Sequence, residues 1–302
     1  MKGQISNLTQ IAYARRLTIN DGKEQGLKII DCDNGKLRFI LNESRALDVM
    51  QVYHQGQNVS FVSKNGFNNK SCEFLRRFEG GMLYTCGLDA IGGIDGFDIH
   101  GSFHLNTANV VKVECNSQGI TVEADIYSTA LFGSNLKMHR VIKSELGSDK
   151  LTLCDTLENL SFADQKYCLL YHVNVGYPLL DKGAKVVADI NKVTPRNEWS
   201  KKRESDRAIA SAPVDNEEET CYFLDLKKPE ISLENENVGK KFTLSYSKET
   251  LPAFIQWRSM ASGDYAVGLE PSTSVLDDGF EYKTLGAGEK VEFKLSMSVE
   301  NI

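Results

Sequence analysis

The pattern that most constrains this chain is a recurring unit: a short run alternating between apolar and polar residues, a polar turn, and a second alternating run. Residues 27–31 alternate, Asp33-Asn34-Gly35 turns the chain, and residues 37–41 alternate again. A period of two sends one face of a segment to a core and the other to water, which is the pattern of a half-buried strand. An Asn-Gly step between two such runs supplies the positive φ angles of a tight hairpin. The same grammar links residues 110–115 to 120–126 through Asn116-Ser117-Gln118-Gly119, and residues 136–143 to 151–157 through Leu146-Gly147-Ser148-Asp149. Further strand-like runs occupy residues 167–175, 185–190, 221–225, 241–246, 254–257, 265–269 and 291–299. Long amphipathic helices are missing, and residues 8–16 are the best short helical candidate. Many strands at short spacing with few helices predict an all-β chain. The strands are too many for an immunoglobulin-like domain and suit a large sandwich of two curved sheets.

The 302 residues contain no Pro/Ser-rich linker, so residues 1–302 read as one domain with a large core. The least patterned stretch, residues 194–220, is long and polar. Long excursions in compact domains are often functional, so it is expected near a functional face. The net charge of −6 gives no electrostatic reason to bind nucleic acid or an anionic membrane, and the one basic run, Lys201-Lys202-Arg203, is surrounded by acids. Seven cysteines occur without a C-x-x-C pair, so neither a zinc ribbon nor a redox motif is indicated. Free thiols fit a reducing compartment. Residues 1–11 lack an apolar signal core and no membrane-length apolar window exists, so a cytoplasmic protein is expected. No metal-ligand spacing or cofactor motif is present, and the oligomeric state is open.

Candidate chemistry rests on few residues. Among five histidines, His100 follows a glycine-studded loop, Gly92-Gly93-Ile94-Asp95-Gly96-Phe97-Asp98-Ile99, in which the backbone can approach a ligand. His172 lies in the apolar run Leu169-Leu170-Tyr171-His172-Val173-Asn174-Val175, where a histidine by itself reads as a hydrogen-bonded core residue. Glu270 stands at a strand end before Pro271, which is expected to break the ladder. Trp257 and Tyr265 are nearby aromatic rings on which a sugar face could pack. Arg76 and Arg77 could offer forked hydrogen bonds to hydroxyls or a carboxylate. Asp89 and Asn174 are further candidate hydroxyl contacts.

Five segments, spread over nearly the whole chain, resemble the galactose mutarotase (aldose 1-epimerase) superfamily. They are Asp21-Gly22-Lys23-Glu24-Gln25-Gly26, Phe78-Glu79-Gly80-Gly81-Met82-Leu83-Tyr84-Thr85-Cys86-Gly87-Leu88, Ile99-His100-Gly101, Leu170-Tyr171-His172-Val173-Asn174-Val175-Gly176-Tyr177-Pro178 and Gly263-Asp264-Tyr265-Ala266-Val267-Gly268-Leu269-Glu270-Pro271. The sequence looks closest to a branch of that superfamily labelled a domain of unknown function. The resemblance implies a β-supersandwich with its site on a concave sheet face. It also implies His172 as general acid, Glu270 as general base, and His100 as a contact near the sugar ring oxygen. An imidazole and a carboxylate facing each other across the ring would open a cyclic hemiacetal without metal or nucleotide. The arginine- and asparagine-bearing segment with which mutarotases grip galactose has no clear copy here. Ser102 stands where the closer branch commonly has a basic residue, and Arg45-Ala46-Leu47-Asp48 replaces its Arg-Gly ahead of an aspartate. The expected function is therefore anomer interconversion on a free or modified sugar. The alternatives are isomerase, epimerase or lyase chemistry on a uronate or other modified sugar, with Arg76 and Arg77 as its anchors, or a non-catalytic sugar-binding module.

Overall fold

The computed structural model describes residues 3–302. Five strands, β1 (Tyr13–Thr18), β2 (Lys28–Asp33), β3 (Leu37–Asn42), β4 (Asp48–His54) and β5 (Gln57–Asn58), follow one another into a first sheet. Then come β6 (Leu83–Leu88), β7 (Asn109–Asn116), β8 (Gly119–Thr129), β9 (Asn135–Glu145), β10 (Lys150–Asn159), β11 (Gln165–Gly176), β12 (Lys185–Val187), β13 (Ile190–Pro195), β14 (Thr220–Leu226), β15 (Glu230–Asn235), β16 (Lys240–Tyr246), β17 (Ala253–Ser259), β18 (Ala266–Ser272), β19 (Lys283–Leu285) and β20 (Lys290–Asn301). An eight-stranded sheet runs β12-β15-β16-β20-β10-β9-β8-β7. The third sheet runs β13-β14-β17-β18-β11-β19, with β6 also paired to β11. The ladders between these strands are antiparallel. Among the described residues no helix is long and apolar enough to cross a membrane.

The hairpins follow from the alternation. Gly35, at φ +90°, turns β2 into β3, and β8 pairs with β9 from Gly119↔Glu145 to Thr129↔Asn135. On β8 the inward positions Ile120, Val122, Ala124 and Ile126 join a core to which all three sheets contribute, through Phe39, Leu153, Tyr171, Leu233 and Phe293 among others.

Four expectations are corrected. The sandwich has a third, five-stranded sheet beside the two large ones. Residues 8–16 are not a helix: Asn7 caps a single 3₁₀ turn, Leu8–Gln10, and β1 follows, because Tyr13–Thr18 find a full ladder on β2 that outweighs an isolated short helix. Residues 185–190 split between two sheets, β12 joining the eight-stranded sheet and β13 the other. Pro271 does not end its strand, since β18 continues through it with Phe254↔Pro271 paired on β17. The missing N–H coincides instead with a gap in the β11–β18 ladder between Leu170↔Ser272 and Val173↔Leu269.

At the centre, the Arg140 guanidinium, with 0% exposure, ties the three sheets together. From β9 it makes a bidentate pair with Asp155 on β10 (2.9 and 2.7 Å) and donates to Asp48 on β4 (2.6 Å) and to Thr85 Oγ1 on β6 (3.0 Å). Tyr171 on β11 donates its hydroxyl to Asp155 (2.7 Å), and His104 contacts the second oxygen of Asp48 (2.6 Å). Burial pushes the Asp48 carboxyl up, but His104 and Arg140 outweigh burial and hold it below its ordinary value. Tyr171 and Thr85 are cross-strand partners, as are the next pair, His172 and Tyr84. Because strand residues alternate faces, fixing Tyr171 and Thr85 in the knot turns His172 and Tyr84 to the opposite face.

Replacing Arg140 with Met would leave buried Asp155 without its cation and Asp48 with His104 alone. Urea denaturation at neutral pH is expected to show a loss of about 3–5 kcal/mol. A loss below about 1 kcal/mol would contradict this role for the knot.

Candidate active site

The register of β11 against β18, Leu170↔Ser272 and Val173↔Leu269, sets His172 opposite Glu270. Directly opposed residues on antiparallel strands share a face, so the two side chains meet. His172 Nε2 lies 3.2 Å from Glu270 Oε1, and both side chains are almost wholly buried. The floor beneath them is Gly268: a Cβ there would stand 2.3 Å from Glu270 Oε1 and 3.1 Å from His172 Cε1. Neither His172 Nδ1 nor Glu270 Oε1 has a well-formed hydrogen bond within the protein. Such unsatisfied buried polar atoms are uncommon and mark a place where a ligand can complete the bonding. Burial, reinforced by the charge of Glu219, holds the Glu270 carboxyl well above its ordinary value, although Arg196 works against this. Burial, with His100 adding to it, holds the His172 imidazole well below its own.

His100 reaches the same place from the glycine loop. Its φ of +63° is left-handed, and the loop pins it there: its N–H donates to Gly92 O (2.9 Å) and the Gly92 N–H donates to His100 Nδ1 (3.2 Å). With Nδ1 accepting, the neutral ring carries its hydrogen on Nε2 and is a donor. Burial, helped by the charges of Arg196 and Arg77, pushes its pKa down to about 4. The His100 and His172 rings stand perpendicular with centroids 5.5 Å apart, and Trp257 lies 5.5 Å from His172 on the other side. These groups line a cavity of about 670 Å³ together with Phe74, Phe78, Ile255 and Leu276.

A cleft with an aromatic and aliphatic wall and many converging polar groups suits one small polar ligand. Residues 24–299 match the family model described as Domain of unknown function (DUF4432). The chain belongs to this family. Solved structures show where the DUF4432 fold sits. A "putative aldose 1-epimerase" from Klebsiella pneumoniae subsp. pneumoniae superposes with TM-score 0.86 at 20% identity, over 95% of this chain and 83% of that one. A galactose mutarotase-like protein from Clostridium acetobutylicum gives 0.73 at 16% identity, over 97% and 100%. A second galactose mutarotase-like protein, from Lactobacillus casei, gives 0.62 at 14% identity, over 90% and 100%. The chain thus has the galactose mutarotase-like fold. No curated protein matches it.

Of the residues singled out in the sequence, this DUF4432 chain brings His100, His172, Glu270 and Trp257 together around the cavity. Five others lie elsewhere, Tyr265 among them, its ring packed against the main core and not in the cavity lining. Arg76 is exposed and pairs with Glu73 (2.7 Å). Arg77 is buried as a brace, donating to Cys72 O (2.6 Å) and to Asp98. Asp89 accepts from the Ser102 backbone (2.9 Å) and hydroxyl (2.6 Å), so these two residues satisfy one another. Asn174 is fully buried beside His172 on the same strand face, its amide donating to Gly81 O and His172 O, and it does not line the cavity. Sequence reasoning missed Arg196, Glu219, Lys64 and Asp264, which also line the cavity. Arg196 and Glu219 come from the polar excursion 194–220, whose lack of pattern was the available signal.

The carboxyl of Glu270 has a cost to the fold that can be read from pH. A carboxyl raised above its unfolded value binds its proton more tightly in the native state. Its contribution to stability is therefore present below the unfolded pKa, near 4.5, and is lost as pH rises toward the folded value. Each unit of elevation corresponds to about 1.4 kcal/mol. Glu270→Gln is accordingly expected to raise the Tm at about pH 8 and to change it little at about pH 4. A lower Tm at the higher pH would contradict the assignment.

Proposed function

We propose that this chain is an aldose 1-epimerase-type enzyme that interconverts the anomers of a sugar by ring opening, with Glu270 and His172 exchanging protons with the substrate. The observation that carries this reading is the buried 3.2 Å contact between the two side chains on the floor of the cavity. The two oxygens that must change protonation, the anomeric hydroxyl and the ring oxygen, are bonded to one carbon. An acid and a base serving them must therefore be close neighbours, and adjacency on paired strands fits this better than an arrangement across the ring.

In the forward step Glu270 takes the proton of the anomeric hydroxyl, and the bond between the anomeric carbon and the ring oxygen breaks. The electron pair stays on the ring oxygen, which receives a proton from His172. The free aldehyde turns about its carbon–carbon bond, and closure on the other face reverses both transfers. The pair holds one proton before and after the step. It passes from carboxylate with imidazolium to carboxylic acid with imidazole, the uncharged form that burial favours at this site. Hydroxyl donors of the bound sugar favour the charged form by hydrogen-bonding the carboxylate. His100, neutral and donating from Nε2, supplies a hydrogen bond near the ring oxygen, and the Trp257 face packs against the sugar carbons. Each proton transfer is worth roughly 10²–10⁴-fold. This chemistry needs no cofactor. A uronate reaction anchored by Arg76 and Arg77 loses its support, since neither side chain lines the cavity.

Proton NMR saturation exchange between α and β anomers, over a panel of free aldoses, tests this directly. Enhanced exchange is expected for at least one sugar, with Glu270→Gln and His172→Asn each reducing it by about 10²-fold or more while the fold is retained. A folded protein that accelerates no sugar, or a Glu270→Gln variant with unchanged turnover, would contradict the proposal.

A further inference from the structure

We infer that the cavity selects sugars without an anionic group, and that Glu219 sets this selection; the inference rests on the reading above and narrows its substrate class. The charged groups lining the cavity are Lys64, Arg196, Glu217, Glu219, Asp264 and Glu270. Most are already neutralised by a neighbour. Lys64 pairs with Asp264 (2.6 Å), and Glu217 pairs with Arg203 (3.1 Å). Arg196, the cation best suited to grip a carboxylate or phosphate, is clamped by Asp277 through Nε and Nη2 (2.6 and 2.7 Å). A guanidinium engaged on that edge cannot offer it to a second anion, and its charge is offset.

Glu219 differs from the rest. Its Oε2 accepts the indole N–H of Trp257 (2.7 Å), and among the described residues it has no ion-pair partner. The carboxylate is therefore fixed to the exposed rim of the aromatic platform beside His172, near enough to Arg196 to feel its charge but not paired with it. Such a group accepts hydrogen bonds from sugar hydroxyls. It repels a carboxylate, sulfate or phosphate on the same ring, and selection of this kind works through the repulsive element as much as the attractive one. The raised pKa of Glu270 is consistent with the same field, because Glu219 is the charge that adds to burial there.

The test uses sugars that differ only at one carbon, D-glucose against D-glucuronate and D-galactose against D-galacturonate. Anomer exchange and saturation-transfer binding are measured in parallel at low salt. The neutral member of at least one pair is expected to exchange and bind better by about 3-fold or more at low salt, the scale of a like-charge contact at a solvent-exposed rim. Glu219→Gln is expected to narrow that ratio by raising the uronate side, and added salt to narrow it in the native protein. Uronates handled as well as or better than their neutral partners would overturn the inference, as would an unchanged ratio in folded Glu219→Gln. If no sugar exchanges, the acid–base reading fails separately and the binding ratio alone decides this one. If no member of either pair binds, this inference falls, and the wider aldose panel decides the acid–base reading.

Discussion

The structure depends on one buried cation. Arg140 sits where three sheets meet and is held by Asp155, Asp48 and Thr85, with Tyr171 and His104 completing the knot. Burying such a group is costly, and only full pairing and hydrogen bonding offset that cost. The arrangement also fixes the facing of β11 and β6. Strands cannot slip by one residue without turning every side chain over, so a knot gripping Tyr171 and Thr85 defines which face His172 occupies. The site is thus specified from the core outward.

The site itself is an exception to the rule the core obeys. In the knot, nearly every polar atom finds a partner. A short distance away, Glu270 and His172 are buried against each other with atoms left unsatisfied. A protein selected for stability alone would replace such a pair with apolar groups. Its place in a cavity of ligand size, under a neutral histidine donor, is what supports the chemistry proposed for it.

Much of this was legible in the sequence, for identifiable reasons. Alternation and Asn-Gly turns exposed the hairpins, since both are local. His172, His100 and Glu270 were singled out by their segments, and the fold brings them to one cavity. What the sequence hid was non-local. Whether Arg77 faces a ligand or Asp98 depends on a loop 21 residues away. Arg196 and Glu219 lie in a stretch without periodicity, so only their approximate neighbourhood could be named. Pro271 read as a strand end because a missing donor normally stops a ladder, whereas here the loss falls on one side only. The Arg140 knot was invisible because its members come from five strands and the 3₁₀ turn that carries His104.

The central claim is that His172 and Glu270 act as one buried unit in which the imidazole is uncharged in the sugar-free protein. The most direct measurement is an NMR titration of ¹⁵N- or ¹³C-labelled imidazoles, with His172 assigned through His172→Asn. The account predicts that His172 remains neutral through the ordinary histidine range near 6.5 and gains its proton only well below it. A His172 that titrates near 6.5, like a solvated histidine, would contradict the account.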